Sequence, residues 1–339
     1  MAKKSHVTPV KQPTQRQISR WQKERKRQRF IFLIGLSVIV LIVGVLGYGY
    51  FTSQLAPRWQ TAIQVNNTKF NTQYYVNYLR AILGNRANDA SAIGGITPTL
   101  VGEIQDIELI KQSARDFDIS VSEEDINQYI RDSLVKPDEK DKITETEIQD
   151  RTNKFISNLP FSLAFFKEVV SNDIFRTKFR EKIESKVPTE AEQVKLSAIR
   201  LEDDVTATEV RTKLDGGGDF SALAKEYSKD ENSKDKGGDI GWVSRGVFPE
   251  LDEAAFSLPV GNTSQPIATP GGYFIIMVTE KKASSPISDE ALATLKSRAF
   301  TKWIDEARKN NKLENYLVDK TTGNVEPKIL SWIVNQLKS

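Results

Sequence analysis

Three patterns of apolar residues divide the chain. The first is unbroken. FIFLIGLSVIVLIVGVLGYGYF, residues 30–51, holds 22 residues without a charge, enough helix to cross about 30 Å of hydrocarbon. The second pattern is helical. TAIQVNNTKF (61–70) reads as two short strands around a polar turn, and Tyr, Leu and Ile then recur at helical spacing over 71–85. Residues 86–97 are small and read as a flexible connection. Thr97-Pro98 predicts a helix start, with a cap and then proline at the first helical position. Beyond it Ile104, Ile107, Ile110, Ala114 and Phe117 form one stripe. Ser122 and Asp125 predict a capping box, PDEKDK (137–142) a loop, and 144–185 further helix.

At Lys186-Val187-Pro188 a third pattern begins. QVKLSAIRL (193–201) alternates as a strand, and VTATEVRTKL (205–214) is a helix stopped by Gly216-Gly217-Gly218. DFSALAKEYS (219–228) and LDEAAFSL (251–258) are two more helices, and GGYFIIMVTEKK (271–282) ends the region as a strand. The order is βααβαβ. SDEALATLKSRAFTKWIDEARKNNKLENYL (288–317) then predicts a long amphipathic helix that returns to the helical region, and PKILSWIVNQLKS (327–339) a short one. The expected class is α+β, with an α/β domain inserted between helices. Its parts are a basic tail (1–29), a span (30–51), a helical domain (60–186), an inserted domain (188–283) and C-terminal helices (284–339).

Charge changes the reading of the first segment. Residues 1–29 contain ten Lys/Arg and only Glu24, while the chain beyond residue 51 has 38 Lys/Arg against 44 Asp/Glu. Basic residues flanking a span stay on the cytoplasmic side, so residues 52–339 are expected to face outward. Tyr48, Tyr50 and Phe51 close the span as an aromatic belt would. A cleaved secretory signal is the alternative, though its apolar region is shorter, about 7–15 residues. The basic run beside a span predicts topology and contact with anionic lipid rather than nucleic acid.

Two absences exclude whole classes of chemistry. The chain has no cysteine, and its one histidine is His6, in the basic tail. Disulfides, thiolate metal sites, a cysteine nucleophile and histidine-based triads are therefore excluded from the outward part. No metal and no cofactor are expected. Gly216-Gly217-Gly218 follows a helix and lacks the Gly-Lys-Ser/Thr ending of a phosphate loop.

Two segments carry a resemblance. DFSALAKEYSKDENSKDKGGDIGWVSRG and FPELDEAAFSLPVGNTSQPIATPGGYFII, in that order and spacing, resemble the parvulin family of peptidyl-prolyl cis-trans isomerases, an FKBP-like fold. The helical flanks, with phrases such as ELIKQSARDFDISVSEEDINQYI, resemble those of SurA- and PrsA-type extracytoplasmic foldases. The single span with an outward domain is similar to the PpiD arrangement.

The resemblance implies a site. Val247, Leu251 and Phe256 fall where the family holds the proline ring, and Asp230 where it places a Cys or Asp beside the isomerising carbonyl. Thr269 matches a hydroxyl that supports a pair of family histidines. That pair is absent: its positions read Ala198 and Phe274. Exchange of a polar pair for an apolar pair of similar volume can be nearly neutral, or the site has ceased to catalyse and only binds. By strand alternation Arg200 shares a face with Ala198 and is expected to approach Asp230. Asp230 reads alternatively as a loop carboxylate, Thr269 as a turn closer and Arg200 as a solvated edge residue.

The implied function is a membrane-anchored foldase that isomerises Xaa–Pro bonds in exported, partly folded chains, with no nucleic-acid partner. Two alternatives stand: a non-catalytic holdase for unfolded exported chains, and a structural envelope scaffold.

Overall fold

A computed structural model describes residues 15–83, 90–139 and 142–338. Of the sequence expectations, the tail before residue 15 and parts of the 86–97 connection and the 137–142 loop lie outside the described residues. The class is α+β, and the chain divides into two compact units, one formed by residues up to Val101 with Glu314–Ser339, the other by Gly102–Leu313.

In the first unit α1 (Gln15–Tyr50) is one uninterrupted helix, prolonged by a wide turn at Phe51–Leu55 and a tight one at Ala56–Trp59. Phe32–Trp59 is long and apolar enough to cross a membrane, and its most apolar stretch is unburied, leaving Leu33, Val40 and Leu46 more than half exposed. Apolar side chains in that number need lipid or another surface around them. Strands β1 (Thr61–Val65) and β2 (Thr68–Asn71) form the expected hairpin. Asn66 takes the left-handed conformation there (φ 53°), which asparagine tolerates better than most residues.

Helix α2 (Thr72–Leu83) buries Tyr75, Val76 and Leu79. Helix α3 (Ala90–Ser113) corrects one expectation. It is already helical at Ala90 and carries Pro98 inside rather than at its start. Proline removes one backbone donor there, and Thr97 adds a local bond by donating its hydroxyl to the Ile93 carbonyl at 2.6 Å. The same hydroxyl lies 2.7 Å from the Tyr75 phenol. Both groups are buried, so the pair fixes α2 on α3. Burial pushes the Tyr75 phenol up to about 12.

The second half of α3, with α4 (Glu123–Leu134), α5 (Glu145–Ser157) and α6 (Leu163–Glu184), belongs to the second unit. Capping boxes start α4 at Ser122/Asp125, as the sequence predicts, and α5 at Thr144/Glu147. After the inserted α/β segment, α10 (Asp289–Asn310) lies on α6. Phe179, fully buried, meets Phe117 and Trp303 with ring centroids 4.7 and 4.3 Å away. Arg308 clamps Asp106 through two 2.7 Å bonds.

The long C-terminal helix is shorter than predicted. It stops at Asn310, the backbone of Asn311 is extended, and Leu313–Asn315 becomes a strand (β7) beside β1. The reason is tertiary: β1 has an open edge that local periodicity does not reveal. The last helix, α11 (Pro327–Lys338), buries Trp332 and Ile333. The Trp332 indole donates to the Gln54 carbonyl at 2.9 Å, tying the chain end to the end of the apolar helix.

The inserted segment is a four-stranded antiparallel sheet in the order β4-β3-β6-β5, where β3 is Glu190–Leu201, β4 Asp239–Ser244, β5 Ile267–Thr269 and β6 Gly272–Pro286. Alternation sorts its side chains. Ile199, Leu201 and Ile275 face α7 (Asp204–Asp215) and α8 (Phe220–Tyr227). Val194, Leu196, Ala198, Ile276 and Val278 face α9 (Pro249–Ser257).

Asp125 accepts the Ser122 amide and the Lys178 ammonium, which hold its carboxyl at about 2, below the ordinary 3.8. A depressed carboxyl stabilises the fold above its unfolded value and ceases to do so as pH falls through the folded one. In thermal melts from neutral pH to pH about 2, Asp125→Asn is therefore expected to melt below the unmodified chain at neutral pH, and the gap to close in acid. Phe179→Ala is expected to cost about 3–5 kcal/mol in denaturant unfolding, the loss of a large buried ring.

Candidate functional site

The site lies on the α9 face of the sheet, where the first half of α9 and the loop before β4 stand apart and leave a cleft of about 860 Å³. Its floor is apolar. Ala198 from β3 and Phe274 from β6 line it, with Leu251 from α9 and Ile240 from β4. In register Ala198 pairs with Ile276 and Arg200 with Phe274. Phe274 thus stands diagonally across from Ala198 on one face, a placement that lets a large ring lie beside a small residue.

The glycines of KGGDIGWV are explained by the wall next to this floor. Gly237 and Gly238 both have positive φ, 67° and 84°. A Cβ on Gly237 would come within 1.9 Å of Ser221 Oγ, and one on Gly238 within 2.6 Å of the Ala198 carbonyl. Gly238 then accepts the Ala198 amide at 2.8 Å, which brings the loop down on the centre of the sheet. Asp239 bonds the Gly241 amide at 2.8 Å and so holds the turn into β4.

Asp230 stands at the head of the same loop. Ser228, fully buried, receives the amides of Arg200 and Asp230 on its hydroxyl, at 3.2 and 3.3 Å, and zips the loop to the end of β3. The Asp230 carboxylate accepts the Ser233 hydroxyl at 2.5 Å and the Asn232 amide at 3.3 Å. All its side-chain donors are neutral, so they fix the group without cancelling its charge.

Arg200 corrects an expectation. It lines the same cleft as Asp230, but no ion pair joins them among the described residues. Its guanidinium turns the other way and donates to the Gly271 carbonyl at 3.3 Å. That turn is closed by Thr269, whose hydroxyl donates to the Gly272 carbonyl at 2.8 Å and accepts the Gly271 amide at 3.2 Å. The competing partner is a backbone carbonyl, which sequence spacing cannot disclose.

The expected proline pocket is divided between cleft and core. Leu251 lines the cleft, but Val247 and Phe256 lie outside its lining and pack in the cluster beneath, with Phe256 8% exposed. The Arg245 guanidinium covers the Phe256 ring at 4.0 Å. Phe248 takes the place at the surface instead, 40% exposed and directly before Pro249 at the start of α9. The signal for it in the sequence is an aromatic directly before a proline able to open a helix.

The segment carrying Phe248 is held at Gly246. Its amide donates to Asp252 at 2.8 Å and its carbonyl accepts Arg298 of α10 at 3.0 Å. Burial pushes the Asp252 carboxyl up, and the Gly246 bond opposes that shift. Helix α10 also contributes Glu290 to the rim, a placement with no signal in local sequence. Among the described residues, no group of three or more metal-ligating side chains is found.

Residues 190–280 match the family described as Rotamase: PPIC-type PPIASE domain. The chain is similar to the Foldase protein PrsA of Geobacillus kaustophilus, 38% identical over 167 residues, covering 45% of this chain and 57% of that relative. It thus spans little more than half of that protein. It is also similar to the Foldase protein PrsA 4 of Bacillus cereus, 30% identical over 198 residues, covering 50% of this chain and 71% of that one. Among solved structures, it is similar to the peptidylprolyl isomerase PrsA from Bacillus anthracis, with 24% identity, a TM-score of 0.41, and 70% and 96% of the two chains covered. With a PPIC-type domain at its centre and a match across most of a PrsA foldase, this chain belongs to the PrsA foldase family.

Proposed function

We propose that the chain is a membrane-anchored extracytoplasmic foldase that isomerises Xaa–Pro bonds in exported, partly folded polypeptides. Residues 1–29 stay in the cytoplasm, the apolar helix crosses the membrane, and residues 52–339 work outside. The helical parts, 60–186 and 284–339, hold the client while the inserted domain acts on its prolines. The observation that carries this reading is the apolar cleft over β3 and β6, within the PPIC-type domain and beside a fixed carboxylate.

The reaction asks little chemistry of the protein. Rotation about an Xaa–Pro bond meets a barrier of about 18–20 kcal/mol and takes tens of seconds unaided. No bond breaks, so neither nucleophile nor metal is needed. The proline ring seats against Leu251, Phe248 and Phe274. As the imide twists it loses conjugation and its charge shifts, and the fixed Asp230 carboxylate acts on that change electrostatically. Interactions stronger for the twisted imide than for either planar form lower the barrier. Phe274 and Ala198, in place of the histidine pair, support the floor by packing alone.

That same exchange favours a second reading, a holdase that binds through the cleft without isomerising. A proline-limited refolding assay with the full chain in neutral detergent separates the two. Acceleration of the slow phase in proportion to added chain is expected; suppressed aggregation with an unchanged slow phase would establish the holdase instead. Asp230→Asn keeps an acceptor for the loop and removes the charge. It is expected to lower kcat about tenfold, or about 1.4 kcal/mol, with KM little changed. An unchanged kcat would leave Asp230 as a loop residue only.

A further inference from the structure

We infer that the cleft selects clients whose proline is flanked by lysine or arginine. The inference rests on the cleft being the proline site and adds which chains it accepts. Four carboxylates line it: Asp230 and Asp239 on the loop side, Glu250 at the start of α9 and Glu290 at the start of α10. None of the four is in an ion pair among the described residues. Asp230 and Asp239 are held by hydroxyl and amide donors, which fix their positions and leave their charge in place. Glu250 and Glu290 are exposed on the rim.

Against them stand two cations, Arg200 and Lys236, whose charges also remain, so the lining carries two more negative than positive side chains. Helix starts at Glu250 and Glu290 add about half a positive charge each, which reduces the imbalance without reversing it. The floor between these charges is apolar, and a proline ring seated there carries no charge of its own. The sign of the rim therefore acts on the neighbours of the proline. A cationic side chain gains attraction at each lip, and a glutamate or phosphate there meets like charge. Arrays of one sign around a low-dielectric floor focus the field on what enters.

The test compares three short peptides, Ala-Lys-Pro-Phe, Ala-Leu-Pro-Phe and Ala-Glu-Pro-Phe, in binding titrations with the full chain in nonionic detergent. The lysine peptide is expected to bind about tenfold more tightly than the glutamate peptide at low salt, with the gap shrinking at about 0.5 M salt. Glu250→Gln with Glu290→Gln should narrow the gap, and Glu250→Lys with Glu290→Lys should reverse the order. Equal binding of the lysine and glutamate peptides, with the leucine peptide bound, would overturn this inference and leave the proposed function standing. If none of the three binds, the proposed function falls, and this inference with it.

Discussion

The pairing of β3 with β6 is the constraint on which the rest of the inserted segment depends. These two long strands run antiparallel from Glu190 with Pro286 to Leu201 with Tyr273. Their side chains alternate between two cores, so a slip of one residue would exchange them. From β3, Ile199 and Leu201 pack with α7 and α8, while Val194, Leu196 and Ala198 face α9 and the cleft. The register that puts Ile199 and Leu201 in one core therefore also puts Ala198 and Arg200 on the other face. The site's floor is a by-product of the core's packing rule.

The walls are built by backbone, which explains why so many of the site's fixed points are glycines and carbonyls. Gly238 receives the Ala198 amide, Gly271 receives the Arg200 guanidinium, and Gly246 is held from both sides by Asp252 and Arg298. Such contacts pin loops that would otherwise sample many shapes. They also make α10, a helix outside the PPIC-type match, a structural part of the cleft through Arg298 and Glu290. Excision at the domain boundary would remove both.

Much of this was legible in the sequence, and the failures share a cause. The apolar segment at 30–51, the hairpin at 61–70, the Ser122 capping box and most of the inserted elements express local rules of periodicity and capping, while the short β5 was not among the predicted strands. What escaped was set by distant neighbours. Pro98 sits inside α3, next to Thr97, whose hydroxyl bonds back to Ile93 and meets Tyr75 of α2. Residues 313–315 left a predicted helix to complete the edge of β1. Of the residues the resemblance implies, Ala198, Leu251 and Phe274 line the cleft. Arg200 went to a carbonyl rather than to Asp230, and Phe248 rather than Val247 reached the surface, because loop geometry decided both.

In the mechanism proposed above, an apolar floor and one fixed carboxylate catalyse isomerisation without the histidine pair. Exchange spectroscopy on a proline tetrapeptide tests this most directly, with a catalytic amount of the full chain in neutral detergent. Cis–trans exchange cross-peaks are expected at mixing times where the free peptide, exchanging over tens of seconds, shows none. Peptide that broadens cleft resonances while exchanging no faster than in free solution would contradict it.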